Sequence, residues 1–131
     1  MAQNGNREVL QSMYDAFARG DVPSVLERFD HKVEWIEPDG SPYGGTYRGP
    51  EEVLSGVFMK LGTEWDGFQV APDELVGDGG SIVALGHLSG TYKATGKSFR
   101  APFAHAWKFR DGRVVSFIEY TDTLPMQQAL R

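Results

Sequence analysis

Residues Phe99 to Thr121 read F-R-A-P-F-A-H-A-W-K-F-R-D-G-R-V-V-S-F-I-E-Y-T. Phe99, Ala101, Phe103, His105, Trp107 and Phe109 fall on one parity. Arg100, Pro102, Ala104, Ala106, Lys108 and Arg110 fall on the other. Successive side chains of a strand point to opposite faces, so alternation sustained this long commits the segment to a strand with one aromatic face. Asp111-Gly112 is a hairpin turn signal, and a second strand follows from Val114 to about Thr121. His105 is the odd member of the aromatic face. It is either a satisfied core histidine or a group that handles protons, and spacing alone favours the first.

The turn decides what His105 can face. A two-residue Asp-Gly turn would set Arg110 opposite Arg113 and Trp107 opposite Ser116, and like charges directly opposed are unfavourable. A three-residue turn, with Gly112 left-handed in a bulge, would set Trp107 opposite Val115, His105 opposite Phe117 and Phe103 opposite Glu119. The second register is preferred because it avoids the arginine clash. It puts Glu119 on the His105 face, within diagonal reach of the ring; in the first register Glu119 points away.

Upstream, Leu10, Met13, Tyr14 and Phe17 recur with helical spacing, predicting a helix over 6–19 with Asn4 or Asn6 as its cap and Gly20 as its stop. Tyr14 lies on the buried face, as a core aromatic or as a donor aimed into a pocket. Asp21 caps a short second helix that carries Pro23 in its first turn. Asp30-His31-Lys32 reads as a polar turn and Val33 to Glu37 as a short strand. Glu37 shares parity with Val33 and Trp35, so it is either a buried carboxyl or a solvated end residue before Pro38. Residues 38–48 are rich in Gly and Pro, carry Tyr43 and Tyr47, and are expected to form a loop, either a lid or a plain surface turn. Gly49-Pro50-Glu51-Glu52 opens a third helix with Val53, Leu54, Val57, Phe58 and Leu61 as its apolar stripe. The strands predicted next are Trp65 to Val76, bent near Gly67 or Pro72, and Ser81 to Tyr92, curved or bulged at Gly86 and Gly90. His87 reads as structural. A short tail after Thr121 has room for one helical turn.

Helices followed by a run of antiparallel strands mean an α+β fold, here a curved sheet wrapped against three N-terminal helices as a single domain over 1–131. Such a cone would enclose an apolar pocket lined by Phe17, Trp35, Tyr43, Phe58, Phe103, Trp107 and Phe117, with Tyr14, Glu37, His105 and Glu119 as its polar groups. A net charge of −5 and the lack of a basic run argue against nucleic acid. Cysteine is absent, which excludes disulfides and thiolate chemistry. The first residues form no signal-like apolar segment and no run is long enough to span a membrane, so a cytoplasmic protein is expected. No metal or organic cofactor is expected, since one pocket histidine and single carboxylates make a poor metal site.

The motifs Y-D-A-F-A-R-G-D at 14–21, V-E-W-I-E-P at 33–38, G-T-Y-R-G-P-E-E-V at 45–53 and F-A-H-A-W-K-F-R-D-G-R-V-V-S-F-I-E-Y-T-D at 103–122 resemble the nuclear transport factor 2-like superfamily, in its SnoaL-like, ketosteroid isomerase-related branch. The resemblance runs from about Arg7 to Thr123. It implies a cone-shaped fold but not one reaction, because that fold hosts isomerases, cyclases, dehydratases, epoxide hydrolases and non-catalytic modules. In the isomerases an acidic base precedes a proline at the end of the first strand, where Glu37-Pro38 stands here. His105 occupies the place of their second acid, which belongs to the oxyanion hole. Tyr14 stands near their oxyanion tyrosine, one residue short in its spacing to Gly20-Asp21. The Asp-Arg-Asp set of the epoxide hydrolases is not matched, since Arg100 has the wrong parity. His105 and Glu119 are nearest to the sheet acid/base of the SnoaL-type cyclases.

The resemblance and the pocket together imply proton transfer next to a carbonyl on an apolar, cyclic substrate. Either Glu37 or His105 would be the base, Glu119 would orient His105, and Tyr14 and Tyr43 would be donors to an enolate. The alternative is a binding module for an apolar ligand. Relatives are commonly homodimers, and the outer face carrying Ala104, Ala106, Ile118 and Tyr120 is the expected contact.

Overall fold

The computed structural model describes residues 5–131, so Asn4, one of the two expected caps, lies outside the described residues. Helix α1 (Asn6–Ala18) buries Leu10, Met13 and Tyr14 along the expected stripe. Gly5 sits at its cap position, and Asn6 does not cap. The Asn6 side chain instead donates from Nδ2 to the carbonyl of Gly79, 2.7 Å away, tying the helix start to the turn between two strands. Gly20, with φ +78°, ends α1 in the left-handed conformation that suits glycine. Helix α2 (Val22–Leu26) starts at Asp21, whose carboxylate accepts from the Ser24 backbone N–H, with Pro23 in the first turn.

Strand β1 (Phe29–Glu37) begins four residues earlier than the sequence suggests. Asp30, His31 and Lys32 are therefore strand and not turn. They lie where the pairing with the last strand is irregular, between Phe29 and Glu34, and polar side chains can face solvent there. Strand β2 (Gly45–Arg48) corrects the expected 38–48 loop, leaving only 38–44 irregular. The glycines obscure β2 in the sequence, but Trp35 pairs with Tyr47 and Ile36 with Thr46 across a regular antiparallel ladder. Helix α3 (Pro50–Val53), a π-helical turn over Leu54–Phe58 and α4 (Met59–Glu64) run on as one rod. Val53, Val57, Phe58 and Leu61 of the expected stripe are buried. A Cβ on Gly56 would collide with the Tyr47 ring, so only glycine lets the rod lie this close to β2.

Strands β3 (Trp65–Val76), β4 (Ser81–Tyr92), β5 (Ser98–Arg110) and β6 (Arg113–Thr121) complete a six-stranded sheet in the order β2-β1-β6-β5-β4-β3. All neighbours are antiparallel except β1 and β6, which run parallel. The sheet is curved and does not close. Register breaks in β3 at Asp66–Gln69 and Pro72–Glu74 fall near Gly90 and Gly86 of β4, so the expected bends lie where bulges and glycines meet. At Gly86 any Cβ would run into the Ala71 carbonyl and the Pro72 Cα. His87 lies at the surface beside Asp73, with its Nδ1 3.2 Å from a carboxylate oxygen. The tail forms α5 (Thr123–Ala129), longer than one turn, which buries Met126 and Ala129. The core lies between the concave sheet face and the α1 and α3–α4 helices.

The β5–β6 hairpin corrects the preferred register. Asp111 (φ +54°) and Gly112 (φ +75°) form a two-residue, doubly left-handed turn, and Arg110 does pair with Arg113. The arginine pair is tolerated because both side chains are exposed and the Arg113 guanidinium swings away to donate to the Glu27 carbonyl, 2.6 Å distant. One extra residue then enters β6: Phe109 pairs with Val114, but Lys108 pairs with Ser116. This bulge at Val115 shifts everything beyond it. Trp107 faces Phe117, His105 faces Glu119 and Phe103 faces Thr121, a register that matches neither simple turn. The expected sharing of one face by His105 and Glu119 holds, through a bulge in the strand and not one in the turn.

Candidate active site

Three adjacent strands place one row of ionisable side chains on the concave face. The parallel register that aligns Trp35 with Phe117 and Ile36 with Ile118 carries Glu37 alongside Glu119. The antiparallel register sets Glu119 opposite His105. The row is therefore Glu37 (β1), Glu119 (β6) and His105 (β5). The row beside it is Trp35, Phe117 and Trp107. There the Trp35 ring stacks on Phe117 at 3.7 Å between centroids, and the Trp107 ring meets Phe117 edge-on at 4.6 Å. From the other side, α1 lowers Tyr14 onto His105.

All four polar side chains are buried: Tyr14 is 6 % exposed, Glu37 7 %, His105 4 % and Glu119 8 %. Buried polar groups must find partners, and these find one another. Trp107 Nε1 donates to the Tyr14 hydroxyl at 2.9 Å. The Tyr14 oxygen lies 2.6 Å from His105 Nδ1, and His105 Nε2 lies 3.1 Å from Glu119 Oε2. The carboxyls of Glu37 and Glu119 share a hydrogen bond. Trp35 Nε1 donates to Glu37 Oε2 at 2.7 Å. The Glu37 of the sequence analysis is thus a buried carboxyl, not a solvated strand end.

The two glutamates differ in charge. Burial, then the charge of Glu119 beside it, holds the Glu37 carboxyl well above the ordinary carboxylate range. Burial also pushes Glu119 upward, but the hydrogen bond from His105, the charge that ring carries when protonated and the hydrogen bond from Glu37 outweigh it and leave Glu119 below that range. Two adjacent carboxyls thus keep one proton between them, on Glu37. Burial raises the Tyr14 hydroxyl far above its usual value, against the bond from Trp107, so it stays protonated.

This row forms the polar end of a cavity with about 720 Å³ of free space, its open mouth included. Phe17, Trp35, Tyr43, Phe58, Trp107 and Phe117 line it as expected. Phe103 does not. It lies behind the wall, stacked on the His105 ring at 3.8 Å, and holds that ring in place. Tyr43 lines the mouth, but its hydroxyl is engaged elsewhere: it donates to Glu64 Oε1 at 2.5 Å and accepts from Trp65 Nε1 at 2.8 Å. It is therefore a wall and not a free donor.

The sequence reading missed several contributors. In the sequence the two indole donors read only as apolar lining, although Trp35 sits two residues from Glu37 and Trp107 two from His105, on the same faces. Met126 of α5 and Phe68, Val70 and Leu88 of β3 and β4 also line the cavity. The sequence carries no signal for them, because the fold of the tail and the curvature of the sheet bring them there. Among the described residues no helix is long and apolar enough to cross a membrane.

The comparisons agree with this architecture. A solved NTF2-like protein from Burkholderia thailandensis is 37 % identical, with 96 % of this chain and 97 % of that one covered at a TM-score of 0.92. TerC, co-crystallised with polyporic acid, is 26 % identical over 95 % of this chain and 97 % of its own, at a TM-score of 0.85. Patulin synthesis protein F of Aspergillus clavatus is 32 % identical over 85 residues, 63 % of this chain; the match spans 42 % of that relative, less than half its length. The SnoaL-like domain family matches residues 10–117, most of the chain, and the chain belongs to that family.

Proposed function

We propose that the chain is an acid/base enzyme that moves a proton next to a carbonyl on an apolar, cyclic small molecule, as in isomerisation, aldol cyclisation or dehydration. The observation that carries this reading is the buried pair of adjacent carboxyls, Glu37 driven upward and Glu119 downward from the ordinary range, at the polar end of an otherwise apolar cavity. The arrangement supplies an acid and a base side by side. The Glu119 carboxylate would take the proton from the carbon next to the carbonyl. Glu37 would give its proton to the carbonyl oxygen as the enol forms, and reversal or onward reaction would restore both. By sequence alone Glu37 and His105 are rival bases. His105 has both ring nitrogens engaged, by Tyr14 and Glu119, so it suits a positioning role better.

A panel of cyclic ketones in D₂O tests this without knowledge of the natural substrate. Wild type is expected to speed exchange of the enolisable protons, read by NMR, and Glu119→Gln to lose about 10²–10⁴-fold of that acceleration, the usual worth of one acid/base group. Ligands that quench the pocket tryptophans but exchange no faster than in buffer would overturn catalysis and leave a binding module. We also propose that a second copy of the chain meets the outer face of β5 and β6, where Ala104 pairs with Tyr120 and Ala106 with Ile118.

A further inference from the structure

Each end of the polar chain is an indole, and an indole nitrogen only donates. Trp107 Nε1 points at the Tyr14 oxygen from 2.9 Å. Tyr14 has one proton, and the other polar atom at its oxygen is His105 Nδ1, 2.6 Å away. If Nδ1 carried a proton of its own, Tyr14 would receive two donors and have nowhere within the chain to send its proton. The satisfied arrangement is Tyr14 O–H donating to a bare Nδ1. The ring proton then lies on Nε2, aimed at Glu119 Oε2 at 3.1 Å. From the opposite end, Trp35 Nε1 donates to Glu37 Oε2 at 2.7 Å, and the Glu37 carboxyl, keeping its proton, donates to the same Glu119 carboxylate.

We infer that Trp107 is a positioning residue that fixes the direction of every hydrogen bond from α1 to Glu119, locking neutral His105 as its Nε2–H tautomer and making Glu119 the point where both arms converge. The inference rests on the acid/base reading for its use in catalysis, but the lock itself can be observed without any substrate. It also carries a second consequence. If His105 takes up a proton, Nδ1–H must donate to Tyr14, and the Tyr14 hydroxyl turns its own proton toward the cavity. Tyr14 thus becomes a donor to a ligand only when His105 is charged. The resemblance to the isomerases places Tyr14 near an oxyanion tyrosine; here the direction of its hydroxyl depends on the ring hydrogen-bonded directly to it.

Long-range ¹H–¹⁵N spectra of histidine-labelled protein test the lock. In wild type with the His105 ring uncharged, its Nδ1 should resonate as an unprotonated acceptor and its Nε2 as a protonated donor. In Trp107→Phe, which keeps an aromatic ring and removes only the N–H, the two shifts should move toward each other as the tautomers mix, and the ketone exchange rate should fall by up to about tenfold, the worth of one hydrogen bond. The loss should appear in kcat and not in KM. Nδ1–H in wild type would overturn the inference outright, with no variant needed. Unchanged ¹⁵N shifts in a folded Trp107→Phe would overturn the role of Trp107. Exchange absent in wild type with the Nε2–H tautomer present would instead fault the proposed activity and leave the lock standing.

Discussion

Glu37 holds a proton in the native state that an ordinary glutamate gives up near 4.5. The sign of its effect on stability follows. With the folded value raised, the unfolded chain releases that proton first as pH rises, so stability is fully present below about 4.5 and is lost as pH climbs through the folded value. Glu119 runs the other way: its stabilising contribution is present above the ordinary value and is lost as pH falls through its lowered one. Glu37→Gln keeps the shape and the donor to Glu119 but cannot ionise. Urea denaturation from mildly acidic to alkaline pH should show wild type weakening while the variant stays flat, so the variant gains relative stability toward alkaline pH. Parallel curves would mean that Glu37 is ionised in the native state. At this scale the sequence was partly informative: periodicity put Tyr14 and His105 on buried faces, left Glu37 either buried or solvated, and brought Glu119 to the His105 face only through a register that the structure corrects. Their hydrogen-bond partners were not legible, because a tryptophan on a buried face looks the same whether or not its N–H has an acceptor.

Among the elements, the long aromatic strand and the α1 stripe were legible because each repeats its period many times. The register of the hairpin was not. Val114, Val115 and Ser116 contain no glycine or proline to mark a bulge, and the like-charge argument failed because Arg113 finds the Glu27 carbonyl outside the sheet. The β3–β4 bend was legible for the opposite reason, since Pro72, Gly86 and Gly90 announce it. That bend can be tested. An alanine at Gly86 forces its Cβ into the Ala71 carbonyl and the Pro72 Cα, and neither is a flexible tip that can move aside. Gly86→Ala should cost about 1–3 kcal/mol in chemical denaturation, as overpacking does. A loss within the scatter of surface substitutions would mean that β3 and β4 lie farther apart there.

For the whole molecule, the convex face of the sheet is the surface proposed above for assembly. Tyr120 is 58 % exposed and stands beside Ala104, whose small side chain leaves its ring accessible. Leu85 and Val76 on neighbouring strands are exposed as well. Sedimentation at micromolar concentration is expected to give a particle of twice the 14.5 kDa chain, and Tyr120→Asp to shift it toward monomer. Monomer alone in wild type would sink this.

The parallel pairing of β1 with β6 joins the first strand of the chain to the last. No hairpin can supply that contact, so the chain must close a loop of most of its length before the two carboxyls meet, and such non-local pairing is slow to form. The hydrogen bond from Tyr14 to His105 spans 91 positions and needs the same closure. The acid/base row is thus absent from any partly folded form in which the sheet's two halves have yet to meet. A folding intermediate with a finished β3–β4–β5–β6 meander would hold His105 and Glu119 but no second carboxyl. Activity would then appear only with the last step of folding, and a ligand that binds the completed row would draw the chain through that step.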